Sequence, residues 1–482
     1  MATAGFTAIL TVYLLRALGP REFGLFSLAA SIGALLMLPS DFGITGSTAR
    51  FIAERFGDPR AVAALMSDAL RLKLIVSGVV SLALLVAASP VAHAYGEPSL
   101  TWPIRWMAIA VLFQSLVAFY RYAFLAMRDA SVGLRIVVGE AAMETGASIL
   151  LVVIAGGAAG AAAGRTVGYA FGAFLAIGLT LRRLGAAAFA RSSRLSDARR
   201  RLARYAGALF AIDLAFSASV QTAPLMIGGF LGVREVGLFQ APTRLIVLLQ
   251  YPGVALANGI SPRMARSEDH EPEVGLFTTA MRYLLIIQAL TVIPIVVWAE
   301  PIVHLVLGPG YDRSADILRI LGPYIFTSGL AGPLAGALNY LGEARRRVPI
   351  GIADLVLSAT LTAAGLATIG LNGAAWTADV VSAAYVAVHI WLLRRMVSLP
   401  LRPLLLTAVR ALLAGAAMAA VLFAFGTHHL AVWEWIAGGL GGFAAFAAVI
   451  LLSREVSIAE LRALPSVVFA RGAAPENGNG AG

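Results

Sequence analysis

Apolar runs of about twenty residues follow one another along this chain with little between them, and that pattern constrains its folding more than any other feature. A membrane-spanning helix needs roughly 20 mainly apolar residues, whereas a surface helix of a soluble domain carries only an apolar stripe. Divided at Gly, Pro and Arg, the runs fall at 2–18, 23–47, 72–92, 103–127, 133–155, 160–182, 205–230, 236–259, 276–299, 316–341, 348–369, 372–393, 404–425 and 431–452. They are too long and too continuously apolar for the ten-residue strands of a membrane barrel. Lipid leaves the backbone no partner outside a helix or a closed barrel. The expected fold is therefore an all-α polytopic membrane protein with about 14 transmembrane helices. Composition agrees, at 59% apolar and 13% charged residues with a mean hydropathy of +0.83. Soluble domains carry about 25% charged residues.

Several chemistries are absent from the residues themselves. The chain has no cysteine, which removes disulfides, Cys-ligated zinc and thiol catalysis. Its single lysine, Lys73, sits in Leu72-Lys73-Leu74 with no glycine loop before it, so no Walker A motif is present. The six histidines never take H-E-x-x-H spacing, and no serine has the G-x-S-x-G surroundings of a hydrolase elbow. No catalytic role and no cofactor are expected.

The formal charge of +11 raises nucleic acid as a partner until the arginines are placed. With the N-terminus inside, Arg50, Arg55, Arg60, Arg71 and Lys73 fall in the first cytoplasmic loop. Eight arginines between Arg182 and Arg204 fill the third such loop, and Arg263, Arg266, Arg345–Arg347, Arg394, Arg395 and Arg402 continue the series. The opposite connections near 89–102, 155–160, 370–372 and 426–431 hold neither Lys nor Arg. This alternation is the positive-inside signature of a multi-pass protein with both termini cytoplasmic. The partner it points to is the lipid bilayer, not nucleic acid.

A repeat fixes the architecture. Leu18-Gly19-Pro20-Arg21-Glu22-Phe23-Gly24-Leu25-Phe26 recurs as Leu231-Gly232-Val233-Arg234-Glu235-Val236-Gly237-Leu238-Phe239, 213 residues later. Pro39 then meets Pro252 and Arg50 meets Arg263, while Glu140 meets Asp354 one residue further out of step. The offset covers six spans, an even number, so the two units run in the same direction, a known transporter plan. The expected organisation is an N-terminal lobe at 1–182, a basic linker at 183–204, a second lobe at 205–395 and two further helices at 396–455. The tail at 456–482 ends in a Gly-, Ala- and Asn-rich stretch expected to be disordered.

The segment Leu14-Leu15-Arg16-Ala17-Leu18-Gly19-Pro20-Arg21-Glu22-Phe23-Gly24-Leu25-Phe26 resembles the opening signature of the polysaccharide and O-antigen flippases. These exporters form the polysaccharide branch of the multidrug/oligosaccharidyl-lipid/polysaccharide superfamily. Asp41-Phe42-Gly43-Ile44 with Arg50-Phe51-Ile52-Ala53-Glu54, Val236-Gly237-Leu238-Phe239-Gln240-Ala241, and Leu307-Gly308-Pro309-Gly310-Tyr311 resemble further stretches of that family. Together they cover about residues 10–400. The family has more chain ahead of the Leu18-Gly19-Pro20 turn, whereas the first span here starts at Ala2 and is short, so a start further upstream is expected. The resemblance implies two parallel six-helix lobes of the MATE-like type in a bacterial cytoplasmic membrane. It also implies a substrate: an oligosaccharide on undecaprenyl pyrophosphate, with polysaccharide polymerase or assembly proteins as further partners.

Charged residues inside spans cost about 2.5–3.5 kcal/mol each on insertion scales and are functional candidates by default. The basic set is Arg16, Arg121, Arg165 and Arg244, and Arg50 and Arg263 close the matched inner ends of spans two and eight. Given the implied pyrophosphate, these arginines are candidates for a cationic lining, since the guanidinium fork matches phosphate oxygens. They can equally stitch helices through carboxylates or snorkel to the interface. The acidic set is Asp41, Glu140, Glu144, Asp213, Asp354 and Asp379, which can bind a coupling H+ or Na+ or neutralise arginines. Glu140 and Glu144 are four apart and share a helical face. Pro39 and Pro252 each free a carbonyl inside a span and mark paired hinges. Three functions compete: the lipid-linked oligosaccharide flippase, a cation-coupled drug or metabolite exporter, and a membrane glycosyltransferase or polymerase. Short connections on the outer side disfavour the enzyme, and lipid II export remains a variant of the first because its substrate shares the pyrophosphate.

Overall fold

The computed structural model describes residues 2–55, 57–189, 214, 217–265, 271–343 and 346–456. Among them the chain is a succession of helices with no strand. The first lobe comprises α1 (Ala2–Asp41), α2 (Ile44–Glu54), α3 (Pro59–Ala94), α4 (Thr101–Ala126), α5 (Ala130–Ala155) and α6 (Gly157–Leu184). The second opens with α7 (217–230). It continues through α8 (Val233–Leu249), α9 (Tyr251–Ile260), α10 (Val274–Val297), α11 (Ala299–Val306), α12 (Asp312–Ile320), α13 (Gly322–Tyr340), α14 (Arg347–Ile369) and α15 (Leu371–Arg394). Two more helices follow, α16 (Leu401–Ala424) and α17 (Val432–Leu452). Among the described residues, ten helices are individually long and apolar enough to cross a membrane, and α12 with α13 forms an eleventh span bent by 54°.

The continuous run of α1 contains a reversal. Gly19 leaves the helix at φ 68° and ψ 176°, a left-side conformation that glycine adopts without steric cost. The residues before it run alongside α5, with Thr145 donating to the Phe6 carbonyl and Tyr13 to that of Ile149. The residues after it run alongside α4, where Gly33 faces Met107 and Ser40 bonds Ser115. Because α4 and α5 are joined by a short turn and are antiparallel, the chain turns back at Gly19. Gly232 repeats the device between α7 and α8 with φ 97° and ψ 172°. Gly156 and Gly370 open α6 and α15 in the same way, also with positive φ. The backbone conformation of these turns thus recurs at the offset of the sequence repeat.

The copies meet reciprocally. A methyl group on Gly24 would lie 1.8 Å from the Val233 carbonyl oxygen, and one on Gly237 would lie 1.8 Å from that of Pro20. Each contact is the other advanced by 213 residues, so the joint has pseudo-twofold symmetry. Other links between the lobes cluster at this turn end. The Tyr311 hydroxyl donates to the Leu15 carbonyl at 3.1 Å, and Arg16 donates to the Leu305 and Val306 carbonyls. At the basic end α2 packs on α3 and α4, while α9 packs on α10 and α13, each within its own lobe. Among the described residues, the links between the lobes thus lie toward the turn end, while α2 and α9 at the basic end each pack within their own lobe.

The structure corrects three boundaries. Helix α3 begins at Pro59, capped by the Asp58 carboxylate on the Arg60 and Ala61 amides, so Arg60, Arg71 and Lys73 belong to a helix and not to the expected loop. Lys73 is wholly buried and bonded to Asp41, a pairing that lets lysine leave water. The second span breaks after Asp41 at Phe42 and Gly43, both with positive φ. The eighth breaks at Gln250. Of the linker expected at 183–204, residues 183 and 184 belong to α6 and 190–204 lie outside the described residues, as does the tail from 457.

The final pair is fastened to the second lobe at the basic end. Glu455, just beyond α17, accepts from Arg282 of α10 at 2.6 Å and Arg410 of α16 at 2.6 Å, and it also bonds Thr407. Burial pushes the Glu455 carboxyl up, but these three hydrogen bonds outweigh it and hold the group below the usual carboxylate range.

Candidate functional site

A ladder of glycines on α6 builds the most concentrated set of intramembrane charge. Gly160, Gly164, Gly168 and Gly172 recur every fourth residue and face α5 so closely that side chains there would strike it. A methyl group on Gly168 would come within 2.5 Å of the Glu144 Cβ, and one on Gly172 within 3.0 Å of the Glu140 Cβ. Small residues at this spacing let two membrane helices approach until backbones touch. The seam fixes both glutamates, and Arg165, between two of its glycines, reaches Glu144 with an Nε–Oε1 distance of 2.8 Å. Its guanidinium also lies 5.3 Å from the centre of the Phe26 ring. Tyr169, one turn further along α6, shares this electrostatic environment with Arg165, Glu144 and Glu140.

Arg244 enters the same site from the second lobe. It lies seven residues along α8 from Gly237, about 10 Å at 1.5 Å per residue, away from the reciprocal glycine joint. Burial and its Coulombic neighbours Arg165, Tyr169 and Glu144 set its surroundings. Arg244 makes no hydrogen bond or ion pair among the described residues, whereas Arg165 beside it donates from Nε to Glu144. An arginine held within the membrane-spanning region next to a second arginine is costly unless an anion arrives.

The expected site residues thus divide. Arg165, Arg244, Glu140 and Glu144 come together, and Arg121 joins through its charge interaction with Glu140 while its guanidinium covers Tyr122 on the exposed side of α4. Arg16 is committed to the carbonyls of Leu305 and Val306 at the turn end. Arg50 and Arg263 occupy matched, exposed positions at the basic end, bonded to Glu54 and Glu273 at 3.1 Å each. Asp41 binds Lys73 and Thr45. Pro39 precedes the α1–α2 break and Pro252 follows the α8–α9 break. Asp213 lies outside the described residues.

The second lobe carries different chemistry on the same scaffold. Asp354, matched with Glu140, accepts from Ser219 of α7 at 2.6 Å. Asp379 stands nine residues after Gly370, as Arg165 stands nine after Gly156, and accepts from the Tyr324 amide at the start of α13 at 2.7 Å. Its second oxygen is buried without a hydrogen-bond partner among the described residues. An acid in one lobe therefore replaces a base in the other.

Sequence reasoning passed over Tyr169, whose i, i+4 relation to Arg165 was a usable signal. It also passed over the Lys73–Asp41 and Arg282–Glu455–Arg410 clusters, whose members lie far apart in the chain.

The polysaccharide biosynthesis protein family model matches residues 1–268. No curated protein matches the chain in sequence. Among solved structures, a lipid II flippase, MurJ, in an inward closed conformation aligns with a TM-score of 0.77 at 10% identity, covering 94% of this chain and 98% of that one. An inward-facing multidrug resistance MATE transporter of the MOP superfamily aligns at 0.66 with 16% identity, covering 83% and 94%. An outward-facing transporter of the same family aligns at 0.53, with 16% identity over 83% and 93%.

Proposed function

Because the chain belongs to the polysaccharide biosynthesis protein family, we propose that it is a flippase for an oligosaccharide linked to undecaprenyl pyrophosphate. Its site is the space between the lobes bounded by Arg165 and Arg244. The observation that carries the proposal is Arg244, a permanent cation in the membrane-spanning region with no ion pair among the described residues, beside a second arginine across the lobe boundary. A diphosphate supplies what the pair lacks, since guanidinium groups hold phosphate oxygens with directed, charge-assisted bonds. A cationic drug would meet the wrong sign of charge there, which weighs against the exporter reading.

The basic end is assigned to the cytoplasm by the positive-inside rule, and the membrane is the bacterial cytoplasmic one. The joint at the turn end then closes the external side while the lobes part inward. The better alignment with the inward-facing relative than with the outward-facing one supports that state. Rocking about the joint moves the headgroup past the hydrocarbon core, as in other parallel-repeat transporters. Asp354 and Asp379 are the proposed sites for a coupling ion, H+ or Na+. Lipid II export is the second reading, supported by the alignment with MurJ over 94% of the chain.

The test is a strain lacking the protein, analysed for lipid-linked intermediates. An undecaprenyl-pyrophosphate oligosaccharide should accumulate, and the accumulation should persist with Arg244→Gln but vanish with the unaltered chain. Normal lipid-linked intermediates with altered drug efflux would overturn the proposal.

A further inference from the structure

Arg165 is occupied while Arg244 is not, and that asymmetry has a use. We propose that Glu144 is a displaceable counter-ion: it holds the Arg165 guanidinium until an incoming diphosphate takes its place, and the released carboxylate binds a proton. The inference rests on the diphosphate reading of the site.

The geometry that supports it begins with the glycine seam. With Gly168 against the Glu144 backbone and Gly164 against Ser148, α5 and α6 are held together by close backbone packing without any contribution from the ion pair. The Glu144–Arg165 bond is thus not needed as a stitch and is free to exchange. Exchange is also chemically matched, since carboxylate and phosphate oxygens compete for the same guanidinium fork.

The groups around Glu144 decide the fate of the displaced carboxylate. Helix α5 contributes Glu140 one turn away, α6 contributes Arg165 and Tyr169, and α8 contributes Arg244. Helix α4 contributes Arg121, which interacts with Glu140. From α1, Tyr13 bonds the Ile149 carbonyl further along α5. Among the protein's own groups, the Glu140 and Glu144 carboxylates stand with the three guanidinium groups of Arg121, Arg165 and Arg244. A diphosphate bridging the arginines brings two or more further negative charges beside two carboxylates in a poorly hydrated space. A like charge so close disfavours the ionised form, so one proton from water is shared by the Glu140–Glu144 pair. Binding and proton uptake become linked, and affinity falls as pH rises.

The experiment uses the purified full-length protein in detergent with farnesyl diphosphate as probe. Binding is measured by calorimetry between pH 6 and pH 8 in two buffers of different ionisation enthalpy, which reports protons taken up. The unaltered chain should bind with uptake of a fraction of a proton to one proton. Glu144→Gln should bind roughly tenfold tighter at pH 8, with uptake reduced and the pH dependence flattened. Glu144→Gln binding no tighter than the unaltered chain, with uptake unchanged, would overturn the proposal. Arg244→Gln and Arg165→Gln separate this failure from that of the underlying reading. If both lose binding while Glu144→Gln behaves as the parent does, the diphosphate site stands and the exchange falls. If the unaltered chain ignores the probe, or the arginine variants bind it normally, both readings fall.

Discussion

At the scale of single residues, the chain uses its buried charge in two ways. Lys73 with Asp41 is a closed pair, and Glu455 with Arg282 and Arg410 is a closed cluster, each with its hydrogen bonds taken up inside the protein. Arg244 is open. Closed sets contribute to stability and open ones to binding, which gives Glu455 and Arg244 opposite expected phenotypes. Because the folded-state carboxyl of Glu455 is held below its usual value, its contribution is present above the unfolded value of about 4.3 and is lost as pH falls through the lower folded one. Glu455→Gln should therefore lower the Tm of the purified protein at neutral pH, by a destabilisation of about 1–3 kcal/mol, and the gap should narrow as pH falls below about 4.3. A gap that is absent at pH 7 contradicts this assignment. Arg244 and Arg165 were legible in sequence because charge is conspicuous in an apolar run. Lys73 was not, because a lysine near an arginine-rich stretch looks like loop until its distant partner Asp41 is placed.

At the scale of elements, glycine settles what apolar periodicity leaves undetermined. The repeated Leu-Gly turn was readable as a repeat, and its reversal at Gly19 and Gly232 follows from backbone dihedrals that few other residues adopt. The direct contact of Gly24 with the second copy was not readable, since nothing local says which helix a glycine will face. Gly24→Leu or Gly237→Leu should prevent closure of the turn end and shift the lobes apart there. Spin labels flanking the joint on α1 and α8 should then report longer distances with insertion unchanged; unaltered distances in both variants would contradict the assignment. We propose a hinge role for Pro39 and Pro252, and Pro→Ala at each tests it. Transport should fall while membrane insertion is retained, and unchanged export in both variants would refute it. Spans two, eight and ten were read as continuous from hydropathy, yet each is broken, because apolar composition does not encode where a helix bends.

At the scale of the whole molecule, duplication supplies a symmetric frame and divergence supplies the chemistry. The joint between the lobes obeys the 213-residue relation closely. The positions that face the site diverge in chemistry one residue further out of step: at an offset of 214, Arg165 meets Asp379 and Glu144 meets Ser358. Two lobes joined at one end, with an open cation about 10 Å inside, are the basis of the proposed presentation of an anion to either side of a bilayer. The all-helical membrane fold, the repeated turn and the family resemblance were all legible from the chain. Which charges would share one site was not, because that depends on the approach of α5 to α6 and on the Arg244 side chain of α8 joining their charges. The most direct measurement is translocation in proteoliposomes containing an undecaprenyl-diphosphate oligosaccharide, read as the fraction of glycan accessible to an external glycan-cleaving enzyme. The unaltered protein should expose glycan from the inner leaflet, and Arg244→Gln should reduce the rate to that of empty liposomes. Translocation by Arg244→Gln at the unaltered rate would contradict the assignment of Arg244 to the substrate diphosphate.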